Sequence, residues 1–201
     1  GADGQVSAVF DEKSVALGAF APDTAGSVGA LVDGVPFDLS GAGPSNDVQR
    51  LVQRLGLCGL IEYRLMRDGA DIVVIEPQMR DYVPRFVAID EAQPLVLSRF
   101  AYLRRRGTDM VIETPRAGAL FRLCDPEVAA LLASLAVPRT VAELATAPGW
   151  RGHEVLSLLL ACDVLFAPAE NHHGLRAAEG DDDLVLWDFH DLLFHTRSTF
   201  G

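Results

Sequence analysis

The chain has 201 residues, of which 49% are hydrophobic, and its formal net charge is −11. This length suits one large domain or two small ones. An acidic surface of this kind repels phosphate backbones, and no apolar run approaches the ~18–20 residues that span a bilayer. We therefore expect neither a nucleic-acid partner nor a membrane partner.

The first part of the chain predicts a hairpin followed by helices. Residues 6–10 and 15–20 are predicted to pair, and residues 24–32 to form a helix that several glycines weaken. Asn46 is predicted to cap a better helix, which Gly56 stops. These elements resemble a winged-helix unit with poorly formed helices.

A second hairpin follows, with strands at residues 60–65 and 72–76. The Asp68-Gly69 pair between them is a strong signal for a two-residue turn. We assign residues 1–77 to a degenerate winged-helix-like unit and residues 78–95 to a connector.

The pattern is clearer in the second half. Three strands are predicted, at residues 100–106, 110–114 and 119–124. Asp125 and Pro126 should begin a first helix, a capping box at Thr140 and Glu143 a second, and the third should begin near Gly152. Three strands followed by three helices is the order of a winged-helix variant, which predicts an α+β fold with two such units in tandem. Residues 96–168 form the second unit and residues 169–183 a polar linker.

No motif for catalysis or metal binding is found, so no catalytic residue and no metal site are predicted. Phosphate-binding loops, Gly-x-Ser-x-Gly, His-Glu-x-x-His and Cys-x-x-Cys are all missing. His172 and His173 lie near acidic residues, but a solvated linker lacks the rigid placement that a metal site needs. The three cysteines, Cys58, Cys124 and Cys162, have apolar neighbours in sequence, which predicts buried free thiols and a reducing cytoplasm.

Because winged-helix domains often bind DNA, the predicted order of strands and helices leaves DNA binding as one interpretation. Arg99 and Arg104–Arg106 form the basic cluster, but they lie on or beside a strand. The third helix, which would enter the major groove, has no cation after Arg151 and carries Glu154 and Asp163. DNA recognition is thus the weakest of three interpretations.

Peptide binding fits the same elements better. The third strand is predicted to be an open edge to which an extended peptide adds, with pockets supplied by an unusually apolar third helix. The alternative is that this apolar excess packs on the other half, on a flavin domain or on a partner enzyme, which would make the chain a structural scaffold. The predicted peptide-binding residues are Ala119, Leu120, Phe121, Arg122, Leu123, Glu154, Ser157, Leu158 and Ala161.

Several segments resemble a known family. The end of the chain reads Trp187-Asp-Phe-His-Asp-Leu-Leu-Phe-His-Thr-Arg-Ser-Thr-Phe-Gly201, which is denser in aromatic and histidine residues than an ordinary tail. With residues 95–101, 112–117, 125–132 and 140–145, it resembles the front region of the SagB-type azoline dehydrogenases of ribosomal peptide natural-product (RiPP) biosynthesis.

The resemblance implies a function. In that family the front region resembles tandem peptide-clamp, or precursor recognition, domains that hold the leader of a precursor peptide. A nitroreductase-like flavin domain then oxidises azolines to azoles. By this resemblance residues 184–201 begin a flavin domain that is otherwise missing, and Arg197 and Ser198 begin its FMN phosphate site. The chain alone is expected to hold no cofactor and to be no enzyme, with a cyclodehydratase of the pathway as a further partner.

Overall fold

The computed structural model describes residues 4–10, 13–21, 24, 31, 33–35, 47–79, 82–146, 152–168 and 189–198. The chain divides into two compact units, Gly1–Ile61 and Glu62–Gly201. Helices and antiparallel sheets are both present, which agrees with the predicted α+β class.

The first unit contains a hairpin and a helix. Strands β1 (Gln5–Phe10) and β2 (Lys13–Ala19) pair antiparallel, as predicted, and helix α1 spans Asp47–Leu57. The Asp47 carboxylate accepts a hydrogen bond of 2.8 Å from the Ala21 amide, and this bond holds the pKa of Asp47 below its usual value. Most of the predicted helix at residues 24–32 lies outside the described residues.

The second unit has eight strands and four helices among its described residues. Its strands are β3 (Tyr63–Arg67), β4 (Ala70–Pro77), β5 (Pro94–Leu97), β6 (Tyr102–Arg106), β7 (Asp109–Glu113), β8 (Ala119–Leu123), β9 (Arg139–Thr140) and β10 (Leu165–Phe166). Its helices are α2 (Pro126–Ser134), α3 (Val141–Leu144), α4 (His153–Ala161) and α5 (Phe189–Ser198).

Local sequence signals fix the ends of these elements. Asp68 and Gly69 both have positive φ angles, 51° and 81°, so the β3–β4 turn needs residues that tolerate the left-handed region. The Asp125 side chain accepts from the Glu127 amide at 2.8 Å, and Thr140 and Glu143 form the predicted capping box.

Five strands form one antiparallel sheet in the order β3-β4-β8-β7-β6, and β5 lies between β10 and β9 in a smaller sheet. A row of aligned residues, Ile75, Phe121 and Ile112, crosses the middle of the larger sheet, and each is at most 2% exposed. These residues share one core cluster with Leu132 of α2 and Leu158 of α4. One face of the sheet therefore packs against helices.

The boundary between the units differs from the predicted one. The prediction placed the hairpin with strands at residues 60–65 and 72–76 in a first unit that ends at residue 77, but β4 pairs with β8 in the sheet of the second unit. A hairpin rich in β-branched residues pairs with whichever strand edge the chain brings to it. Local pattern does not specify that partner.

Candidate peptide-binding site

The strand predicted as an open edge lies in the interior of the sheet. Strand β8 pairs with β4 on one side and with β7 on the other. The prediction that Ala119, Leu120, Phe121, Arg122 and Leu123 form a free edge is therefore wrong. A strand of the same chain reaches β8 without the loss of translational freedom that a separate peptide must overcome.

The side chains of β8 are also either buried or paired with carboxylates. Its four apolar residues are at most 7% exposed. Arg122 lies among the carboxylates of Glu62, Glu76 and Asp109, at N–O distances of 3.4 to 3.9 Å. Its cation is balanced within the sheet.

The residues predicted on the third helix differ in accessibility. Leu158 is fully buried in the core cluster, so it lines no open pocket. Glu154 is exposed and lies 4.0 Å from Arg67, and Ala161 is half-buried. Helix α4 is apolar on more than one face because it is buried on more than one face. Val155, Leu156 and Leu159 are at most 1% exposed.

Ser157 binds an extended segment of the same chain. Its hydroxyl accepts from the Val87 amide at 2.9 Å and donates to the Val87 carbonyl at 2.6 Å. Val87 belongs to residues 82–90, which have no regular secondary structure and which we call the strap. The predicted groove is therefore occupied by the chain itself, with β4 beside β8 and the strap beside α4.

Tyr82 anchors the beginning of the strap. Its hydroxyl lies 3.3 Å from the Cys162 thiol, where either group can donate, and its carbonyl accepts from the Tyr63 hydroxyl at 3.3 Å. Burial raises the pKa of Tyr82 far above its usual range and also raises the pKa of the Cys162 thiol. Both groups are therefore neutral near pH 7 and provide no nucleophile.

The cysteine prediction is correct for one residue of three. Cys162 is buried beside Tyr82, as expected, whereas Cys58 and Cys124 are exposed. Cys58 follows the end of α1 and Cys124 follows the end of β8, where apolar neighbours in sequence no longer imply burial.

The sequence predicts a connector at residues 78–95 and does not predict that part of it, the strap, packs against α4. Its residues include Val83, Phe86, Val87 and Ile89, which make it more apolar than an ordinary linker. The absence of any helix or strand period around Pro84 concealed that signal, because an extended segment without strand pairing has no characteristic spacing.

Two strand edges of the large sheet carry no further strand in the described part of the chain. The β3 edge has a register shift between Leu65 and Met66, whereas β6 pairs with β7 in unbroken register. Bulges are a common device for blunting an edge. The regular edge, β6, is therefore the better template for an added strand.

Apolar side chains flank the β6 edge. Leu103 of β6 and Met110 of β7 are each 39% exposed. Arg104 and Arg106 are held by carboxylates, with Arg104 at 2.9 Å from Glu113. Arg105 is exposed and donates to the Gly107 carbonyl at 2.8 Å.

Other predicted site residues are only partly described. The His172–His173 region and residues 184–188 lie outside the described residues. Arg197 and Ser198 belong to α5, but their side chains are likewise outside them. Across the described ranges, no group of three or more His, Cys, Asp or Glu residues could hold a metal ion. Nor does any described helix have the length and apolar character needed to cross a membrane.

The comparisons with known proteins point to one family. The family model described as "Cyanobactin oxidase ThcOx" matches residues 95–201, more than half of the chain. No curated protein matches the chain. The matched region includes β8 and α4 but neither β4 nor the strap.

Proposed function

Because the chain belongs to the cyanobactin oxidase family, we propose that its second unit holds the leader of a ribosomally made precursor peptide for oxidation. Membership in this family makes the chain a relative of RiPP-biosynthesis oxidases. The proposal adds peptide recognition, a peptide-clamp role for the strands and helices of residues 96–168, and a cytoplasmic location.

The observation that carries the proposal is the regular edge of β6, which no other strand among the described residues covers. An extended peptide can add to such an edge through main-chain hydrogen bonds, while neighbouring side chains select its sequence. Leu103 and Met110 offer apolar contacts on one face of the sheet, and Arg105 offers a cation. The ligand that fits is an extended segment with apolar residues and at least one carboxylate.

DNA recognition has less support. The helix that would enter a major groove is α4, and its middle residues are buried in the unit's core. Arg104 and Arg106 are paired with carboxylates, which lowers their availability for phosphates.

The scaffold alternative is supported by one feature of α5. Phe194 is 78% exposed although Leu192, on the same helix, is buried. Another domain or a partner enzyme that covered Phe194 would remove this apolar ring from water, which favours the contact. A cyclodehydratase of the same pathway is the partner that this alternative favours.

The proposal extends to the cofactor of the oxidase, which would be FMN. Arg197 and Ser198 would contact its phosphate. Because both residues are helical, their amides pair within the helix, so these contacts would come from the side chains. The flavin would supply the oxidation chemistry.

The function is tested by titrating the chain with the fluorescein-labelled leader segment of a ribosomally made cyanobactin precursor peptide. Arg104→Pro and Arg105→Pro are compared, because neighbouring strand residues direct their amides alternately towards β7 and outward. The variant that removes the outward amide should keep its unfolding transition and bind at least tenfold more weakly, about 1.4 kcal/mol.

Met66→Pro on the β3 edge serves as the matched control and should leave the affinity unchanged. If wild-type protein does not bind the leader, peptide recognition is rejected and the scaffold interpretation takes its place. If it binds but neither folded β6 variant is weaker, the leader binds elsewhere.

A further inference from the structure

The strap is fastened to the second unit by very few main-chain bonds. From Val83 to Ile89, the main-chain hydrogen bonds of the described residues are the two between Val87 and Ser157. The neighbouring strands of the large sheet, in contrast, bond along continuous ladders. Segments with few protected backbone hydrogen bonds open at a lower free energy than the sheet around them.

The side chains of the strap give the same picture. Pro84 is buried and Tyr82 and Ile89 are half-buried, whereas Val83, Phe86 and Val87 are 43%, 42% and 38% exposed. Three large apolar residues that stay about two-fifths exposed contribute less to holding the segment in place than fully buried residues would.

The Ser157 hydroxyl forms its hydrogen bonds with the backbone of the strap and not with its side chains. One hydroxyl accepts from an amide and donates to the carbonyl of the same residue, which any extended residue other than proline can offer. At the C-terminal cap of α4, Cys162 provides a weak hydrogen-bonding partner for Tyr82 in otherwise apolar surroundings. This surface suits an extended peptide with an aromatic hydroxyl, a small apolar anchor such as proline two residues later, and no charge on the buried side.

We propose that the surface formed by Ser157 of α4 and by Cys162, the residue that caps the C-terminal end of α4, is a binding site for an extended apolar peptide segment, that the strap fills it as an internal ligand, and that the strap leaves it by local opening. The inference is independent of leader binding at β6. The probe is a peptide with the sequence of the strap, and the measured quantity is the alkylation rate of the Cys162 thiol.

Local opening is measured through Cys162, which is 7% exposed beside Tyr82. In a Cys58→Ser, Cys124→Ser background, Cys162 is the remaining cysteine, and its alkylation by iodoacetamide is followed by mass spectrometry at fixed pH. We expect a labelling rate that hardly changes with low concentrations of urea, since local opening exposes little surface. A rate that follows global unfolding across the same urea series overturns the proposal.

Ser157→Ala removes both hydrogen bonds between Ser157 and the strap, and Val87→Pro removes the one that the Val87 amide donates. Both should label Cys162 at least fivefold faster, and hydrogen exchange of the Val87 amide should quicken in Ser157→Ala. Ser134→Ala is the matched control, because its hydroxyl donates to the Leu131 carbonyl within α2. Equal rates in the two strap variants and in wild type would overturn the proposal.

The binding site itself is tested by adding a synthetic peptide of residues 82–90 to the Val87→Pro variant, in which Ser157 is intact. Because the peptide carries the native valine, it should slow the labelling of Cys162 in a saturable manner, and a scrambled peptide of the same composition should not. If the two peptides act alike, α4 is not a peptide site.

Discussion

At the scale of single residues, Gly118 links the β7–β8 turn to the start of the strap. Its φ angle is +64°, and its carbonyl accepts from the amides of Gln78 and Met79 at 2.9 and 3.2 Å. A Cβ atom at this position would lie 3.2 Å from Cδ2 of Tyr82 and 3.3 Å from the sulfur of Met79. Only a residue without a side chain fits both the backbone conformation and the space.

Gly107 offers a matched comparison, because its φ angle is +62° and a Cβ there would meet no atom within 4 Å. Gly107→Ala should lower the free energy of unfolding by about 1 kcal/mol, the cost of a left-handed alanine. Gly118→Ala should lower it by about 2–3 kcal/mol, because crowding against Tyr82 and Met79 is added. Urea denaturation measures both, and equal losses would show that Tyr82 and Met79 move aside easily.

At the scale of elements, ion pairs join strands that are not neighbours. Arg106 of the edge strand β6 donates to Glu76 of β4, with Nη1 at 2.7 Å from Oε2. These hydrogen bonds hold the pKa of Glu76 below its ordinary value of 4.5, against the opposing effect of partial burial. The pair stabilises the position of β6, the strand on which the proposed peptide would add.

The lowered pKa has a consequence for stability against pH. A carboxyl group whose pKa is lower in the folded state stabilises the fold above its unfolded pKa, and this contribution is lost as pH falls through the folded value. Glu76→Gln should therefore cost about 1 kcal/mol near pH 7, and the difference from wild type should shrink below about pH 4.5.

Chemical denaturation at a series of pH values measures this difference. Glu91→Gln, at an exposed glutamate, is the control and should change stability little at any pH. A Glu76 variant with the pH dependence of the control would mean that the Arg106 contact does not stabilise the folded state.

At the scale of the whole molecule, the two units differ in the size of their described hydrophobic cores. The core cluster of the second unit includes residues from Ile72 to Leu165 and contains the buried row through Phe121. The described core of the first unit centres on Leu17, Phe20 and Leu51. Since a domain's stability grows with the apolar area that it buries, the second unit has the stronger basis for folding by itself.

Residues 62–201, expressed as a separate chain, should therefore unfold cooperatively in differential scanning calorimetry. Phe121→Ala should lower the free energy of unfolding of this shorter chain by about 3–5 kcal/mol, because the ring is fully buried. A shorter chain without a cooperative transition would show that residues 1–61 are needed for the fold of the second unit.

The sequence by itself determined the features that depend on neighbours along the chain. The turn at Asp68-Gly69, the cap at Asp125 and the capping box at Thr140 were predicted because each is specified by residues within about four positions. Short motifs also predicted a relative of the RiPP-biosynthesis oxidases, and the match over residues 95–201 confirms the prediction at that level.

Only the tertiary structure decided which strand edges stay open and what fills the groove. Whether β8 is an edge depends on β4, about fifty residues earlier, and the role of Ser157 depends on Val87, seventy residues earlier. An edge is a property of the assembled sheet, and an extended strap leaves no period in the sequence. Strand propensity therefore identified β8 as a strand, while long-range pairing alone determined its place in the sheet.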